Sequence, residues 1–181
     1  MSERVAGVLL AAGAGTRYGK PKVLAADGHW LRSCVAALAN GGCDDVVVVL
    51  GAAEVEVPAP ARAVIAQQWR QGLSASVRAG IDAVAAADAD YAVLHAVDTP
   101  DVGADAVRRV LDAARSSVSG VARARYGDRP GHPVVIARRH WPDLLSALHG
   151  DEGARPFLAD RDDVTAVDCA DLASGQDIDT R

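Results

Sequence analysis

The chain has 181 residues, 50% of them hydrophobic and 24% charged, and its 19 Lys and Arg residues against 24 Asp and Glu residues give a net charge of −5. This length and composition predict one compact domain over residues 1–181 with a sizeable core, and they exclude a disordered chain. The acidic balance provides no broad basic field, so we expect no nucleic acid partner.

The three cysteines, Cys34, Cys43 and Cys169, are too widely spaced for a Cys-x-x-Cys motif, and their odd number argues against a disulfide scaffold. The amino terminus lacks the basic start, long apolar stretch and cleavage site of a signal peptide. No apolar run reaches the roughly 18 residues of a membrane span. We therefore expect a cytoplasmic protein that does not bind membranes.

As far as Ser116, apolar runs of strand length alternate with helical patterns in the order β-α-β-β-α-β-α. The Val46–Leu50 run is apolar on both faces, which is typical of a parallel strand covered by helices on both sides. The predicted strands are Val5–Ala11, Val46–Leu50, Arg62–Ala66 and Tyr91–Val97, and the predicted helices are His29–Asn40, Ser74–Ala87 and Ala104–Ser116.

After Ser119 the pattern changes. Strands are predicted at Gly120–Tyr126 and Pro133–Ala137, joined through Gly127 to Gly131 as a hairpin or antiparallel excursion; helices follow at His140–His149 and Ala154–Ala159, with a last strand at Val164–Val167. The whole pattern predicts an α/β fold of three layers, α/β/α, with a Rossmann-like, mostly parallel sheet and a late antiparallel excursion. In such folds the active face lies where strands end and loops begin.

The most informative segment follows the first strand and has the sequence LLAAGAGTRYGKPK, from Leu9 to Lys22. A strand that opens into a glycine-rich loop exposes backbone N–H groups that can bind a phosphate, because glycine permits close approach. The loop also carries Arg17 and Lys22, and fixed cations at these positions suit a triphosphate.

Two common phosphate-binding motifs do not fit this loop. A P-loop requires Gly at position 14 and Ser or Thr after Lys20, but the chain has Ala14 and Pro21. A dinucleotide fingerprint that starts at Gly13 requires Gly at position 18, where Tyr18 stands. The loop is therefore of another kind.

The LLAAGAGTRYGKPK segment resembles the signature loop of the nucleotidyltransferases related to molybdenum cofactor biosynthesis, and the resemblance continues along most of the chain. A second nucleotide loop, a metal-binding Asp-x-Pro, an acceptor-side motif and two further motifs follow in the expected order. They are Gln71–Gly80, Asp98–Pro100, Gly131–Val134, Gly150–Arg155 and Asp177–Thr180. The most similar subgroup is the molybdenum cofactor cytidylyltransferases, and the resemblance implies a fold like that of nucleotide-diphospho-sugar transferases.

This resemblance implies Mg²⁺-dependent transfer of CMP from CTP to molybdopterin cofactor, with release of pyrophosphate. The implied ligands are Mg²⁺, a nucleoside triphosphate and a phosphorylated pterin, and the implied protein partner is a molybdoenzyme or its chaperone. Such a reaction needs charge neutralisation more than covalent help. Arg17 and Lys22 are the predicted catalytic residues.

By the same resemblance, Asp98 and Asp179 are the predicted metal ligands, with Asp177 as the alternative to Asp179. Binding of the nucleotide is assigned to Leu10, Ala11, Ala12, Gly13, Gly15, Lys22, Gly72, Ser74, Ser76 and Asp98. Binding of the acceptor is assigned to His132, Pro133, Asp151 and Arg155.

Several alternatives stay open at the level of sequence. Asp98 is also suited to cap the following helix, and Ser74 and Ser76 are suited to start the helix in which they lie. Some relatives of this general appearance are named nicotine blue oxidoreductases, which implies NAD(P)H-dependent dye reduction on the same fold. A guanylyltransferase and a nucleotide-binding protein without catalysis are the remaining alternatives.

Overall fold

The computed structural model describes residues 2–180, in which seven strands form one sheet. The strands are β1 (Val5–Leu10), β2 (Asp45–Leu50), β3 (Arg62–Ile65), β4 (Tyr91–Ala96), β5 (Val121–Tyr126), β6 (Arg129–Ala137) and β7 (Thr165–Asp168). The α-helices are α1 (His29–Asn40), α2 (Leu73–Ala86), α3 (Ala104–Ser116), α4 (Trp141–Ala147) and α5 (Arg155–Ala159). Short 3-10 segments lie at Lys22–Gly28, Trp69–Gln71 and Arg138–His140.

The sheet has the order β3-β2-β1-β4-β6-β5-β7 and is mostly parallel. β1 pairs in parallel with β2 and β4, β2 with β3, and β5 with β7, whereas β6 runs antiparallel to both of its neighbours. This topology confirms the predicted α/β fold with a late antiparallel excursion.

The hairpin between β5 and β6 is tighter than predicted. Tyr126 pairs directly with Arg129, so Gly127 and Asp128 alone form the turn, and β6 begins four residues before Pro133. Gly127 has φ of +66°, a left-handed conformation that glycine adopts without strain. The pairing of β5 with β6 shifts register between Arg123 and Arg125. This irregularity accommodates Pro130 and Pro133 of β6, since proline lacks the N–H group that a regular ladder requires.

Helices cover both faces of the sheet, as the three-layer prediction requires. One buried cluster joins α1 and α3 to the sheet, and another joins α2, α4 and α5 to the opposite face. Along β1 the side chains alternate between these clusters, with Leu9 in the first and Val8 in the second. At Gly80 a Cβ atom would overlap the Val8 side chain, so glycine is what allows α2 to approach β1 so closely.

The carboxyl ends of β1 and β4 meet at one edge of the sheet. The two strands are adjacent and in register, with Leu10 opposite Ala96, so the loops that follow them leave from the same place. Within residues 2–180, no helix combines the length and the apolar character needed to cross a membrane.

Candidate active site

The glycine-rich loop continues β1 for two residues before it turns. The Ala11 amide donates to the Val49 carbonyl at 3.0 Å, and the Ala12 carbonyl accepts from the Ala52 amide at 2.9 Å. Leu10, Ala11 and Ala12 are buried, so these predicted nucleotide contacts can present backbone groups rather than side chains to a ligand.

Beyond Ala12 the backbone becomes accessible. Gly13 is exposed, and a Cβ atom there would have no heavy atom within 4 Å. Gly15 has φ of +65° and its carbonyl accepts from the Gly19 amide at 2.8 Å, which closes the turn. A Cβ atom at Gly15 would overlap the Lys20 carbonyl oxygen. The loop thus has both the open backbone and the requirement for glycine expected of a phosphate-binding loop.

Three charged side chains from distant parts of the chain meet beside this loop. Lys22 Nζ lies 3.1 Å from Asp98 Oδ2 and 3.0 Å from Asp179 Oδ1, so one ammonium group joins two carboxylates. Arg17 Nη2 approaches the same Asp179 oxygen at 3.6 Å. We call Lys22, Asp98 and Asp179 the lysine–carboxylate cluster. It contains residues that the sequence assigned to catalysis and to metal binding.

Backbone hydrogen bonds fix the two carboxylates of this cluster. The Val97 amide donates to the Leu10 carbonyl at 3.2 Å, which holds the chain before Asp98 against the end of β1. The Asp98 carbonyl then accepts from the Ile178 amide at 3.0 Å, and this bond brings Asp179 to Lys22. Gly103, not Asp98, precedes the first residue of α3, so capping of that helix does not explain Asp98.

The pKa values of the cluster follow from this geometry. Desolvation alone would lower the pKa of Lys22, but the hydrogen bond to Asp179 and the charge of Asp98 outweigh it and raise that pKa. The hydrogen bond from Lys22 lowers the pKa of Asp179. Desolvation, followed by the charges of Asp98 and Asp179, raises the pKa of Asp177. Negative charge is therefore concentrated here and is only partly offset.

The donor atoms of the cluster suit a hard divalent cation. Mg²⁺ typically binds one or two carboxylates and completes its coordination with phosphate oxygens and water. Asp98 and Asp179 offer such carboxylates, with Asp177 close enough to interact electrostatically with both. Among residues 2–180, no three His, Cys, Asp or Glu side chains converge as a complete protein-only metal site. The arrangement fits a cation that is bound together with a phosphorylated ligand.

The second predicted nucleotide loop is tied to the chain around residue 150. Gly72 has φ of +112° and precedes α2, so neither Ser74 nor Ser76 is the residue that caps this helix. The Ser74 hydroxyl donates to the His149 carbonyl at 2.8 Å and accepts from the Gly153 amide at 3.2 Å. Its only hydrogen is therefore committed to the fold, and Ser76 is buried.

Asp151 has a structural contact that its sequence position does not reveal. Its Oδ1 accepts from the Leu73 amide at 3.2 Å, which satisfies a free N–H group at the start of α2. The structure therefore brings the Gly150–Arg155 motif against the second nucleotide loop. The assignment of Asp151 to the acceptor stays a prediction.

The other residues predicted to bind the acceptor lie on the antiparallel side of the sheet. His132 and Pro133 lie on β6 and Arg155 begins α5. The His132 carbonyl accepts from the Tyr126 hydroxyl at 2.6 Å. Desolvation lowers the pKa of His132 to about 4; the charge of Asp98 opposes this shift and that of Arg123 adds to it. His132 therefore lies within electrostatic reach of both Asp98 and Arg123.

Sequence reasoning missed two residues near this acceptor side. Arg123 on β5 is half-buried. His95 on β4 is fully buried, and neither of its ring nitrogens is hydrogen-bonded within residues 2–180. The His95 ring lies 6.5 Å from the His132 ring between centroids, edge to face. In the sequence, His95 stands out as a polar residue within a mostly apolar strand, whereas Arg123 belongs to the alternating VARARY pattern of β5 and does not stand out. What they approach depends on the pairing of β4, β5 and β6.

The chain resembles known proteins over nearly its full length. It is 38% identical to the nicotine blue oxidoreductase of Paenarthrobacter nicotinovorans, over 97% of this chain and 92% of that protein. The crystal structure of Rv0371c from Mycobacterium tuberculosis H37Rv superposes with a TM-score of 0.81 at 27% identity, covering 99% of this chain and 95% of the other. Rv0371c has also been solved in complex with manganese, with a TM-score of 0.66 at 26% identity over 91% of this chain and 88% of that one.

A more distant structure shares the fold. The 2-C-methyl-D-erythritol 4-phosphate cytidylyltransferase of Thermus thermophilus has a TM-score of 0.71 at 22% identity, with 98% of this chain and 93% of the other covered. Residues 7–164 match the MobA-like NTP transferase domain. This match confirms that the glycine-rich loop and the motifs after it resemble those of nucleotidyltransferases. The chain belongs to the family of MobA-like NTP transferase domains.

Proposed function

We propose that this protein transfers CMP from CTP to molybdopterin cofactor, with Mg²⁺ as the metal ion. The observation that carries the proposal is the lysine–carboxylate cluster beside an open glycine-rich loop, where Lys22 Nζ contacts Asp98 at 3.1 Å and Asp179 at 3.0 Å. Cations and carboxylates that can bind a metal ion, placed at the end of a phosphate-binding loop, suit transfer of a nucleotidyl group.

In this reaction a phosphate oxygen of the acceptor forms a bond to the α-phosphorus of CTP. The bond between that phosphorus and the oxygen bridging to the β-phosphate breaks, and pyrophosphate leaves with the electron pair. Arg17 and Lys22 offset the negative charge that develops on the phosphate oxygens, because preorganised cations stabilise such a transition state. The exposed backbone at Gly13 and the turn at Gly15 hold the triphosphate near them.

Asp98 and Asp179 are the proposed Mg²⁺ ligands. When bound, the ion neutralises phosphate charge and favours departure of pyrophosphate. Lys22 occupies the space between these carboxylates in the structure, and its contacts keep both side chains oriented toward one point. The manganese complex of Rv0371c, at 26% identity, supports a divalent cation in this family.

The preference for CTP rests on the second loop, with Gly72, Ser74 and Ser76. Its pattern of small residues resembles the cytidylyltransferase branch of the family rather than the guanylyltransferase branch. The Ser74 hydroxyl is committed to His149 and Gly153, so this residue acts by shaping the loop, and backbone groups near Gly72 make the base contacts. A site built on such polar contacts rejects a wrong base because buried polar groups lose their partners.

Competition between CTP and GTP for transfer to molybdopterin cofactor tests this function. We expect the purified protein to use CTP in preference, with release of pyrophosphate that depends on added Mg²⁺. Equal use of both nucleotides, or preference for GTP, would contradict the cytidine assignment but not nucleotidyl transfer. A molybdoenzyme or its chaperone is the proposed recipient of the product, and pull-down of such a protein checks it.

A second candidate is NAD(P)H-dependent reduction of a quinonoid dye, favoured by the 38% identity to the nicotine blue oxidoreductase. A thermal-unfolding panel with CTP, GTP, ATP, NADH and NADPH, each with and without Mg²⁺, separates the two. A ligand that binds only the folded protein raises its apparent stability. Stabilisation by CTP with Mg²⁺ supports the transferase. Stabilisation by NADPH alone, with dye-dependent NADPH oxidation and no transfer, supports the oxidoreductase.

A further inference from the structure

Arg123 lies on the face of the sheet that carries α2, α4 and α5. Its neighbours Ala122 and Ala124 pack in the cluster on the opposite face, so alternation along β5 directs Arg123 away from them. The Arg123 Nε atom donates to the Gly131 carbonyl at 3.3 Å, next to the predicted acceptor residue His132. This bond anchors one edge of the guanidinium and leaves the rest available for other contacts.

Arg123 is a half-buried cation without an ionic partner. Within residues 2–180, no carboxylate forms an ion pair with Arg123 or with Arg155, which is exposed at the start of α5. Desolvation and the charge of Arg155 both lower the pKa of Arg123, which indicates that the two guanidinium groups are near each other. We call Arg123 and Arg155 the arginine pair.

Three other arginines of the chain have carboxylate partners. Arg62 pairs with Asp45 at 2.9 Å, Arg109 with Asp171 at 2.7 Å, and Arg161 with Asp163 at 2.7 Å. Desolvated charges in proteins are normally paired, because an unpaired one costs free energy. Within residues 2–180, Arg123 has no such carboxylate partner although it is desolvated.

The position of the pair relates it to the lysine–carboxylate cluster. Arg123 donates to the carbonyl of Gly131, which precedes His132 on β6, and β6 pairs with β4, whose carboxyl end leads to Asp98. The charges of Arg123 and Asp98 both act on His132. An anion bound by the arginines beside His132 would thus lie on the side of the site where Asp98 and Asp179 stand. This is where the proposed reaction requires the attacking phosphate.

We propose that Arg123 and Arg155 form an anion subsite that binds the terminal phosphate of the acceptor, with Arg123 as a specificity-determining residue that selects phosphorylated acceptors. Identifying the anion as the acceptor's phosphate rests on the proposed function. Guanidinium groups bind phosphate oxygens through parallel N–H···O bonds, and two of them balance a phosphate dianion. Their fixed position on β5 and α5 orients the attacking oxygen, which is how positioning lowers a barrier.

Titration of inorganic phosphate by calorimetry tests the subsite without turnover. The background is Lys22→Ala protein, in which the nucleotide loop has lost its central cation and competes less for phosphate. Adding Arg123→Gln or Arg155→Gln is expected to weaken phosphate binding about tenfold or more, because hydrogen bonds between charged groups contribute about 1.5–3 kcal/mol. Adding Arg125→Gln is the matched control, since Arg125 lies two residues along β5 and, within residues 2–180, its side chain bonds only to the Gly127 carbonyl. The control should stay within about twofold of the background.

Equal phosphate affinity in the Arg123→Gln, Arg155→Gln and Arg125→Gln proteins would overturn the subsite. If Arg123→Gln fails to fold, Arg155→Gln decides the matter, because Arg155 is exposed, and Arg123→Lys should restore part of the affinity. In otherwise wild-type protein, Arg123→Gln should raise KM for the phosphorylated acceptor and leave KM for CTP unchanged. Loss of phosphate binding in a protein that transfers no CMP would retain the subsite and reject the proposed function.

Discussion

The lysine–carboxylate cluster and the arginine pair lie near one another but balance charge in opposite ways. In the cluster, one ammonium group of the chain joins two carboxylates, and Lys22 is only 16% exposed. In the pair, the half-buried guanidinium of Arg123 experiences the positive charge of Arg155 and has no carboxylate partner among residues 2–180. The first region contains charges of both signs with an excess of carboxylates, whereas the second is completed only by an anion from outside.

The difference shows how one fold can prepare for two partners of opposite charge. Where the chain supplies both signs, the side chains are already oriented before a ligand arrives, which is the preorganisation that catalysis needs. Where the chain supplies one sign, the free energy cost of the unpaired charge is offset only on binding, which favours a ligand of the other sign. Substitutions that change the charge of one region at a time test this difference.

Removal of the cation from the cluster should have the largest effect. Lys22→Ala is expected to leave the fold intact and to lower turnover by about 10² to 10³, the range for loss of one preorganised charge-stabilising group. Steady-state transfer by the purified variant measures this. Lys20→Ala, two residues away, is the matched control and should stay close to wild type. Unchanged transfer by Lys22→Ala would show that Lys22 is a loop residue without a catalytic role.

Removal of one negative charge from the cluster should have the next largest effect. Asp98→Asn keeps the side-chain size but offers an amide oxygen without a full charge, so Mg²⁺ binding should weaken by about 10- to 100-fold. A titration of Mg²⁺ against activity measures the shift, with the exposed Asp105→Asn as control. The same titration on Asp177→Asn and Asp179→Asn identifies the second ligand. A wild-type metal dependence in Asp98→Asn would remove this residue from the metal site.

Giving the arginine pair an internal countercharge should make it resemble the cluster. In Arg155→Glu protein a carboxylate stands where a second guanidinium stood, and we expect phosphate binding to be lost. The free energy of unfolding should rise by up to about 1 kcal/mol, the usual size of a partly exposed ion pair. Chemical denaturation with and without phosphate measures both quantities. Arg155→Gln separates loss of repulsion from gain of attraction, and retained phosphate stabilisation in Arg155→Glu would contradict the prediction.

Replacement of His95 should have the smallest effect. His95 is a buried polar residue beside His132, and among residues 2–180 its ring nitrogens have no hydrogen-bond partner. Replacement by Leu removes its unsatisfied nitrogens, so the free energy of unfolding at pH 7 should rise by about 1 kcal/mol. Desolvation, and next the charge of His132, lowers the pKa of His95 to about 3.

The pH dependence of His95→Leu follows from that shift. Between about pH 3 and the ordinary histidine pKa of about 6.5, the unfolded chain binds the proton that folded His95 excludes, so stability falls as pH decreases through this window. His95→Leu should reduce this dependence, and the part that remains includes the contribution of His132, whose pKa is lowered to about 4. Denaturation curves at pH 7 and pH 5 measure the difference, and parallel losses in wild type and His95→Leu would show that His95 does not contribute.

The sequence alone determined the elements and the loop that opens the site. Strands and helices follow from local periodicity, as the buried Val46–Leu50 run shows. Their predicted bounds agree with the structure to within one residue at most ends, although β6 begins four residues earlier than predicted. The glycine-rich loop with Arg17 and Lys22 was predictable for the same reason, because its residues are adjacent in the chain. The family motifs also placed Asp98 and Asp179, although only as a resemblance.

Only the tertiary structure decided which distant groups meet. Lys22 and Asp179 are 157 positions apart, and their contact depends on a backbone bond between Ile178 and Asp98 that no local pattern indicates. The order of strands and helices also decides that the Ser74 hydroxyl bonds to the His149 carbonyl. It decides equally that Arg123 lies within the electrostatic influence of Arg155 and, among residues 2–180, forms no ion pair with a carboxylate. Periodicity is a property of neighbouring residues, whereas charge balance at a site depends on pairing across the sheet, and so it became visible only in the folded chain.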